Sequence, residues 1–256
     1  MHYDDISIKK KNYQFNVTKI IRIWATNIHP AIAHFIGYCF KSKYFYLFLE
    51  NKDMKSLYKL NDKMHILNLT DKLIILYGIA TVLELLHSRN IMLREFQKYN
   101  ILVDSQFYPY IFEFVCAYYI DEIVDEDIHM TNSVILMSPE IMNDPEKYVG
   151  AFPVDVYAYG VNMFTIITEE EFFGNCHRIQ IGQNVTDGKR PKIPDSTPSN
   201  WKHHIESCWN QDPNKRPNIT EICDLLESDT FVNSSINIVA FNDYKKIVKP
   251  FRPMQK

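Results

Sequence analysis

Between Val154 and Thr168 the chain leaves almost no polar face: Val156, Tyr157, Ala158, Tyr159, Val161, Met163, Phe164, Ile166 and Ile167 fall within fifteen positions. At helical spacing these residues cover the cylinder nearly all the way round, so this helix belongs inside a shell of other elements. Gly160, in its middle, signals close packing against a neighbour. A second long helix is predicted from Thr70, as N-cap followed by Asp71, to about Ser88. Leu73, Leu76, Tyr77, Ala80, Leu83 and Leu86 give it a broad apolar face. Two shorter amphipathic helices, Trp201 to Trp209 and Ile219 to Leu226, are joined by the turn Asp212-Pro213-Asn214-Lys215-Arg216-Pro217.

The first fifty residues read differently. Ile6-Ser7-Ile8-Lys9 alternates like a short strand, and Phe15 to Ala25 places Val17, Ile20, Ile21 and Trp24 at helical spacing. Ala31 to Phe40 and Lys43 to Glu50 are rich in β-branched and aromatic residues around a short Lys41-Ser42 break, which predicts neighbouring antiparallel strands. Gly174 to Ser199, with Pro191, Pro194 and Pro198, is expected to be mostly irregular. From Asp229 the periodicity fades into a basic, proline-interrupted tail, expected to be mobile rather than docked. No internal repeat is present.

With 256 residues, 46% of them hydrophobic, the chain can bury one substantial core or two small ones, and a single, bilobal domain is expected. A formal charge of −3 and the lack of a long basic block before the tail argue against a nucleic-acid surface. Cys39, Cys116, Cys176, Cys208 and Cys223 form no C-x-x-C pair and read as reduced thiols, with no zinc site. The longest apolar run, Leu73 to Val82, is about half a membrane span, and Met1-His2-Tyr3-Asp4-Asp5 is no signal peptide. The expectation is a cytoplasmic protein whose partner is another protein, not nucleic acid or membrane.

Chemistry concentrates in Leu93-Arg94-Glu95-Phe96-Gln97-Lys98-Tyr99-Asn100, where an amide follows a carboxylate by five residues, and in Glu113-Phe114-Val115 shortly after. Further motifs occur in order: Leu86-His87-Ser88-Arg89-Asn90-Ile91, Ser138-Pro139-Glu140, Asp155-Val156-Tyr157-Ala158-Tyr159-Gly160, and Cys208-Trp209-Asn210-Gln211-Asp212-Pro213 with Arg216-Pro217. Taken together they resemble a eukaryotic protein kinase domain of the tyrosine-kinase-like type, from about Ile6 to Leu226. The resemblance implies an α+β, kinase-like bilobal fold. A mostly helical C-lobe (52–228) would carry a reduced N-lobe (1–51) of about three strands and one helix, with 229–256 as the tail.

The same resemblance implies roles. Glu95 stands at the catalytic-base position with Arg94 beside it and Asn100 completing the loop; Lys9 and Leu102 would face ATP, and Asn100 and Glu113 would hold magnesium. Arg216 would pair with Glu140, Asp155 would accept hydrogen bonds from the catalytic-loop backbone, and Phe114 with Leu93 would form an apolar column between lobes. Several positions depart from the family. Leu93 replaces a His, and Glu95 and Glu113 replace Asp, moving each carboxylate by a methylene where an ångström of misplacement costs about a hundredfold in rate. Val115 replaces the glycine whose free dihedrals let that segment switch. No Asp or Glu occurs from Ile6 through Phe48 to hold Lys9, which Lys10 and Lys11 also crowd, and the first glycine is Gly37, so no glycine-rich phosphate loop is in view. Asn132 to Met137 differs from the family's substrate-docking segment, and Thr131, Ser133, Tyr118 and Tyr119 are expected to be exposed loop hydroxyls.

The expectation is therefore a catalytically impaired pseudokinase acting as a protein-binding module through its lower lobe or exposed sheet edge, with no cofactor. The alternative is a weak serine/threonine kinase using ATP and Mg2+, with Glu95 as base; a further one is a fragment of a longer kinase.

Overall fold

The computed structural model describes residues 6–9, 17–41, 44–50, 53–94, 96–122, 133–148, 150–174, 176–232 and 235–253; of 6–9, 41, 44, 45, 61–65, 147 and 148 only the backbone is considered. The upper part holds β1 (Ile6–Lys9), α1 (Val17–Thr26), β2 (Phe35–Lys41) and β3 (Tyr44–Leu49). Its sheet runs β1-β3-β2, all antiparallel, with Phe40 opposite Phe45 and a bulge between Phe35 and Gly37. The two aromatic-rich strands pair as neighbours, and α1 turns Ile20, Ile23 and Trp24 inward.

Below lie β4 (Lys55–Ser56), a 3-10 segment (Leu57–Ile66), α2 (Leu69–Ser88) and β5 (Ile91–Met92). Strands β6 (Ile101–Val103), β7 (Pro109–Ile111) and β8 (Tyr118–Tyr119) follow. The helices α3 (Pro139–Asn143), α4 (Pro145–Tyr148), α5 (Pro153–Thr168), α6 (Arg178–Thr186), α7 (Ser199–Cys208), α8 (Ile219–Glu227) and α9 (Ile238–Val248) complete the lower part. The chain is thus an α+β fold with a small sheet above a helical lobe.

Helix α5 is buried without a break from Val154 to Ile167, as an all-apolar cylinder must be. Gly160 lies where a Cβ would come within 2.8 Å of Cys208 Cβ and 3.1 Å of the Trp209 backbone nitrogen. Gly160→Ala should therefore destabilise by about 1–3 kcal/mol, lowering the melting temperature by about 2–12 °C in a thermal-denaturation scan. An unchanged midpoint would mean that α7 yields freely.

Three expectations are corrected. The cap of α2 is Asn68, whose Oδ1 accepts from the Thr70 and Asp71 amides while the Asp71 carboxylate accepts from Asn68 N, a reciprocal capping box. Thr70 instead accepts a hydrogen bond from Asn237 N. Residues 178–186, expected to be irregular, form α6, which buries Ile181 and Val185 one turn apart.

The tail supplies the third. Rather than being mobile, 235–253 carries α9, whose Phe241, Tyr244 and Val248 are buried, Phe241 and Tyr244 against α2. Arg252 donates to both oxygens of Glu84 (2.6 and 2.9 Å) and reaches Asp224 and Glu227. Helix α2 is consequently buried on every side from Lys72 to His87, and not along one face alone. Its Glu84 carboxylate, 4% exposed, needs that guanidinium, because an unpaired charge at this depth is costly.

Candidate active site

The loop after α2 is pinned by α5. Asp155, in the first turn of α5 and fully buried, accepts from Leu93 N (2.9 Å) and Arg94 N (2.7 Å). The same carboxylate lies 3.0 Å from His87 Nε2, which fixes the tautomer with its hydrogen there, and the imidazole stacks on Phe152 at 4.3 Å. Arg94 sits at φ +63°, a left-handed conformation that costs a non-glycine residue about 1–3 kcal/mol and persists because its surroundings hold it. Its guanidinium lies over the Tyr118 ring at 5.4 Å. Farther along, Asn162 of α5 donates to Phe96 O (3.0 Å), and the Asn100 amide, buried with its side chain, closes a turn on Gln97 O at 2.7 Å. Asn162 was not singled out in the sequence, although a lone amide inside an apolar helix is the signal that marks it.

Glu95 lies outside the described residues, as do Thr131 and the Lys9 side chain. Asn100 immediately precedes β6, on which Leu102 is half-buried; Glu113, half-buried, follows β7, and the Asn100 carbonyl accepts from Phe112 N at 3.4 Å. Among the described residues no group of three or more His, Cys, Asp or Glu could hold a metal. Among the described residues the loops offer magnesium the Asn100 amide and the Glu113 carboxylate, the latter a methylene longer than the family's Asp for a cation that demands near-octahedral oxygen geometry.

Phe114 and Leu93 are both buried, at 0% and 1% exposure, in the core that joins the upper and lower parts. Phe114 meets Trp24 of α1 at 5.3 Å, and Trp24 meets Phe35 of β2 at 5.6 Å while donating to Ala33 O. The sequence marked Phe114 and Leu93 for this column but not Trp24. Helix α1 and the segment that follows it are held from below by three further contacts. Arg89 donates to Thr26 O and Asn27 Oδ1 (2.7 and 3.0 Å), Arg22 pairs with Glu122 and covers the Tyr119 ring at 4.2 Å, and Ile32 bridges to Ile111. The helix itself carries no carboxylate.

On the far side, Arg216 donates to both Glu140 oxygens (2.6 and 2.8 Å) and to the carbonyls of Pro153 and Asn210. Arg190 joins it over the Tyr157 ring, the two guanidinia lying 5.2 and 5.1 Å from the centroid, and donates to Trp209 O. Burial lowers the Arg190 pKa and pushes the Tyr157 hydroxyl up to about 12. Arg190 also donates to the nearby carbonyls of Val185 and Lys189, but the tie to Trp209 O, at a helix end nineteen residues away, is not marked by any local pattern. Two of the expected exposed hydroxyls are not exposed. Ser133 and Tyr118 are buried, Tyr118 accepting from Gly150 N, and Tyr119 is half-buried under Arg22.

A helical lobe, a small sheet above it, an amide-bearing loop tied to a buried Asp and a Glu–Arg tie define the protein-kinase class of fold. Residues 7–226 match the protein tyrosine and serine/threonine kinase family. The chain belongs to the protein kinase family. It is 30% identical over 236 residues to a probable LIM domain-containing serine/threonine-protein kinase of Dictyostelium discoideum, covering 87% of this chain and 35% of that protein. It is 29% identical over 212 residues to the RGS domain-containing serine/threonine-protein kinase A of the same organism, covering 80% of this chain and 18% of that protein. The chain thus spans about a third or less of the length of these relatives. Helix α9 and Arg252 lie beyond the matched residues. No helix among the described residues is long and apolar enough to cross a membrane.

Proposed function

We propose that this chain is a catalytically impaired, tyrosine-kinase-like pseudokinase domain, cytoplasmic, that acts by binding other proteins. The observation that carries this reading is the way α1 is held. In a phosphoryl-transfer site a carboxylate on this helix positions the lysine that grips the phosphates. Here α1 has no carboxylate, and its inward place is set by Trp24, Arg22 and Arg89 acting on the lower lobe. Helix α1 thus contributes nothing to the charge pair that the chemistry needs. Glu113 and Val115 add to this: the first lengthens the metal-binding carboxylate, and the second removes the glycine after Phe114. The residues therefore do not fit ATP with magnesium in the family's manner.

The relatives named as serine/threonine kinases favour the competing reading, a slow enzyme with Glu95 as base. A thermal-shift titration of the chain with ATP, with and without magnesium, separates the two, because any ligand of the folded state raises its midpoint. The expected result is no magnesium-dependent rise. A rise that needs magnesium counts for the enzyme.

A further inference from the structure

The tail meets the rest of the chain over two buried imidazoles, one near each of its ends. At the start, Asn200 of α7 donates to Thr230 O (2.9 Å), and the buried Phe231 ring makes edge-to-face contacts with Trp201 at 4.5 Å and His204 at 5.5 Å. At the far end, Phe251, just after α9, makes the same kind of contact at 5.8 Å with His29, in the loop between α1 and β2. His29 and His204 are 4% and 3% exposed. Of the five buried side-chain polar atoms without a partner among the described residues, two are the Nε2 atoms of these rings, and a third is the Tyr244 hydroxyl of α9 itself. The seam beneath the tail therefore collects most of the polar atoms that the described fold leaves unanswered.

Neither imidazole can take up a proton in place. His29 Nδ1 accepts from Ala31 N (3.0 Å), which puts the ring hydrogen on Nε2, and a proton added at Nδ1 would meet that amide donor to donor. No charged side chain, from α1, from the loop or from the tail, offsets the cost: burial alone holds the His29 pKa down at about 3. At His204 burial, with the adjoining His203 of α7 adding, brings it to about 4, and Phe231 on the tail side offers no charge.

We propose that the tail is a proton-released clasp, which closes on neutral His29 and His204 and loosens when these rings are protonated. An undocked imidazole titrates near its ordinary value, about 6.5, so docking is at full strength above that pH and weakens as the pH falls through it toward the docked values. At pH 5 each ring disfavours the docked tail by about thirtyfold, and the two together by about a thousandfold. Loosening uncovers the Tyr77 side of α2, where Phe241 and Tyr244 pack. The clasp lies outside the 93–100 loop and Glu113, and holds whether or not phosphoryl transfer survives.

The test follows the two imidazoles of the full chain by NMR between pH 7.5 and 4.5, with signals assigned through the backbone. Both should stay neutral down to pH 5. Phe251→Ala, at a position already 38% exposed, should keep the fold, raise the proton affinity of His29 at least tenfold and leave His204 unmoved. Exchange of the 235–248 amides, corrected for the intrinsic pH dependence of amide exchange, should lose about a thousandfold in protection between pH 7 and pH 5. The loss should be about thirtyfold in His29→Gln or His204→Leu and almost nil in the double variant. Four outcomes overturn the proposal: either ring titrating near its ordinary value in the unaltered chain, His29 indifferent to Phe251→Ala, tail protection unchanged between the two pH values, or a loss that the double variant keeps. Should the double variant not fold, the titrations of the unaltered chain and of Phe251→Ala decide alone.

Discussion

Deletion of residues 229–256 is expected to leave a chain that does not fold stably. Phe231, Phe241, Tyr244 and Val248 are each 2% exposed or less, and burying such side chains contributes roughly 1.5–3 kcal/mol apiece, or roughly 6–12 kcal/mol for the four. That matches the whole net stability of a typical domain, about 5–15 kcal/mol. The deletion also strips Arg252 from Glu84 and uncovers the Tyr77 side of α2. Circular dichroism melting of the truncated and full chains decides the matter. A truncated chain melting within a few degrees of the full one would mean that α9 is dispensable, and that the boundary near residue 228 drawn from the sequence is the physical one.

Arg216→Ala should have the next largest effect. The Arg216–Glu140 pair is buried, with side-chain exposures of 0% and 5%, and its two short hydrogen bonds are joined by bonds to two backbone carbonyls. Removing one partner from such a pair leaves a buried charge unanswered and costs about 3–5 kcal/mol. The melting temperature should fall by roughly 6–20 °C for a domain of this size. Glu140→Ala should cost a similar amount, and the double variant much less than the sum of the two, since each removes the same interaction. A loss below about 1 kcal/mol, the range of exposed pairs, would show that the tie between α3 and the turn before α8 is solvated in practice.

The motif residues were legible because their chemistry is local or their spacing repeats a known frame. Val154 to Thr168 could only be a buried helix, and Asp155 at its first turn was marked by the residues around it. Arg216 and Glu140 stand out as a charged pair for the same reason. Trp24, Arg22 and Arg89 were not legible as a group. Trp24 and Arg22 are ordinary helix residues and Arg89 caps the end of α2, and their common task, fixing α1 to the lower lobe, exists only once Phe114, Glu122 and Thr26 are brought alongside. The misplaced cap of α2 has a local cause: Asn68 and Thr70 are both good caps, and the side-chain oxygen that closes on residue 71 belongs to Asn68.

The sequence by itself determined the family, the helical core and the departures at Leu93, Glu95, Glu113 and Val115, because residue type and spacing are enough to state them. The tertiary structure alone decided that 235–253 belongs to the fold. A tail with weak periodicity and basic residues looks soluble by itself, and Glu84 looks like one charge on an apolar helix. Arg252 lies 168 positions from Glu84, and their pairing buries the last open side of α2. No local pattern encodes a partner at that distance, since the free energy that holds it arises only when both surfaces leave water together.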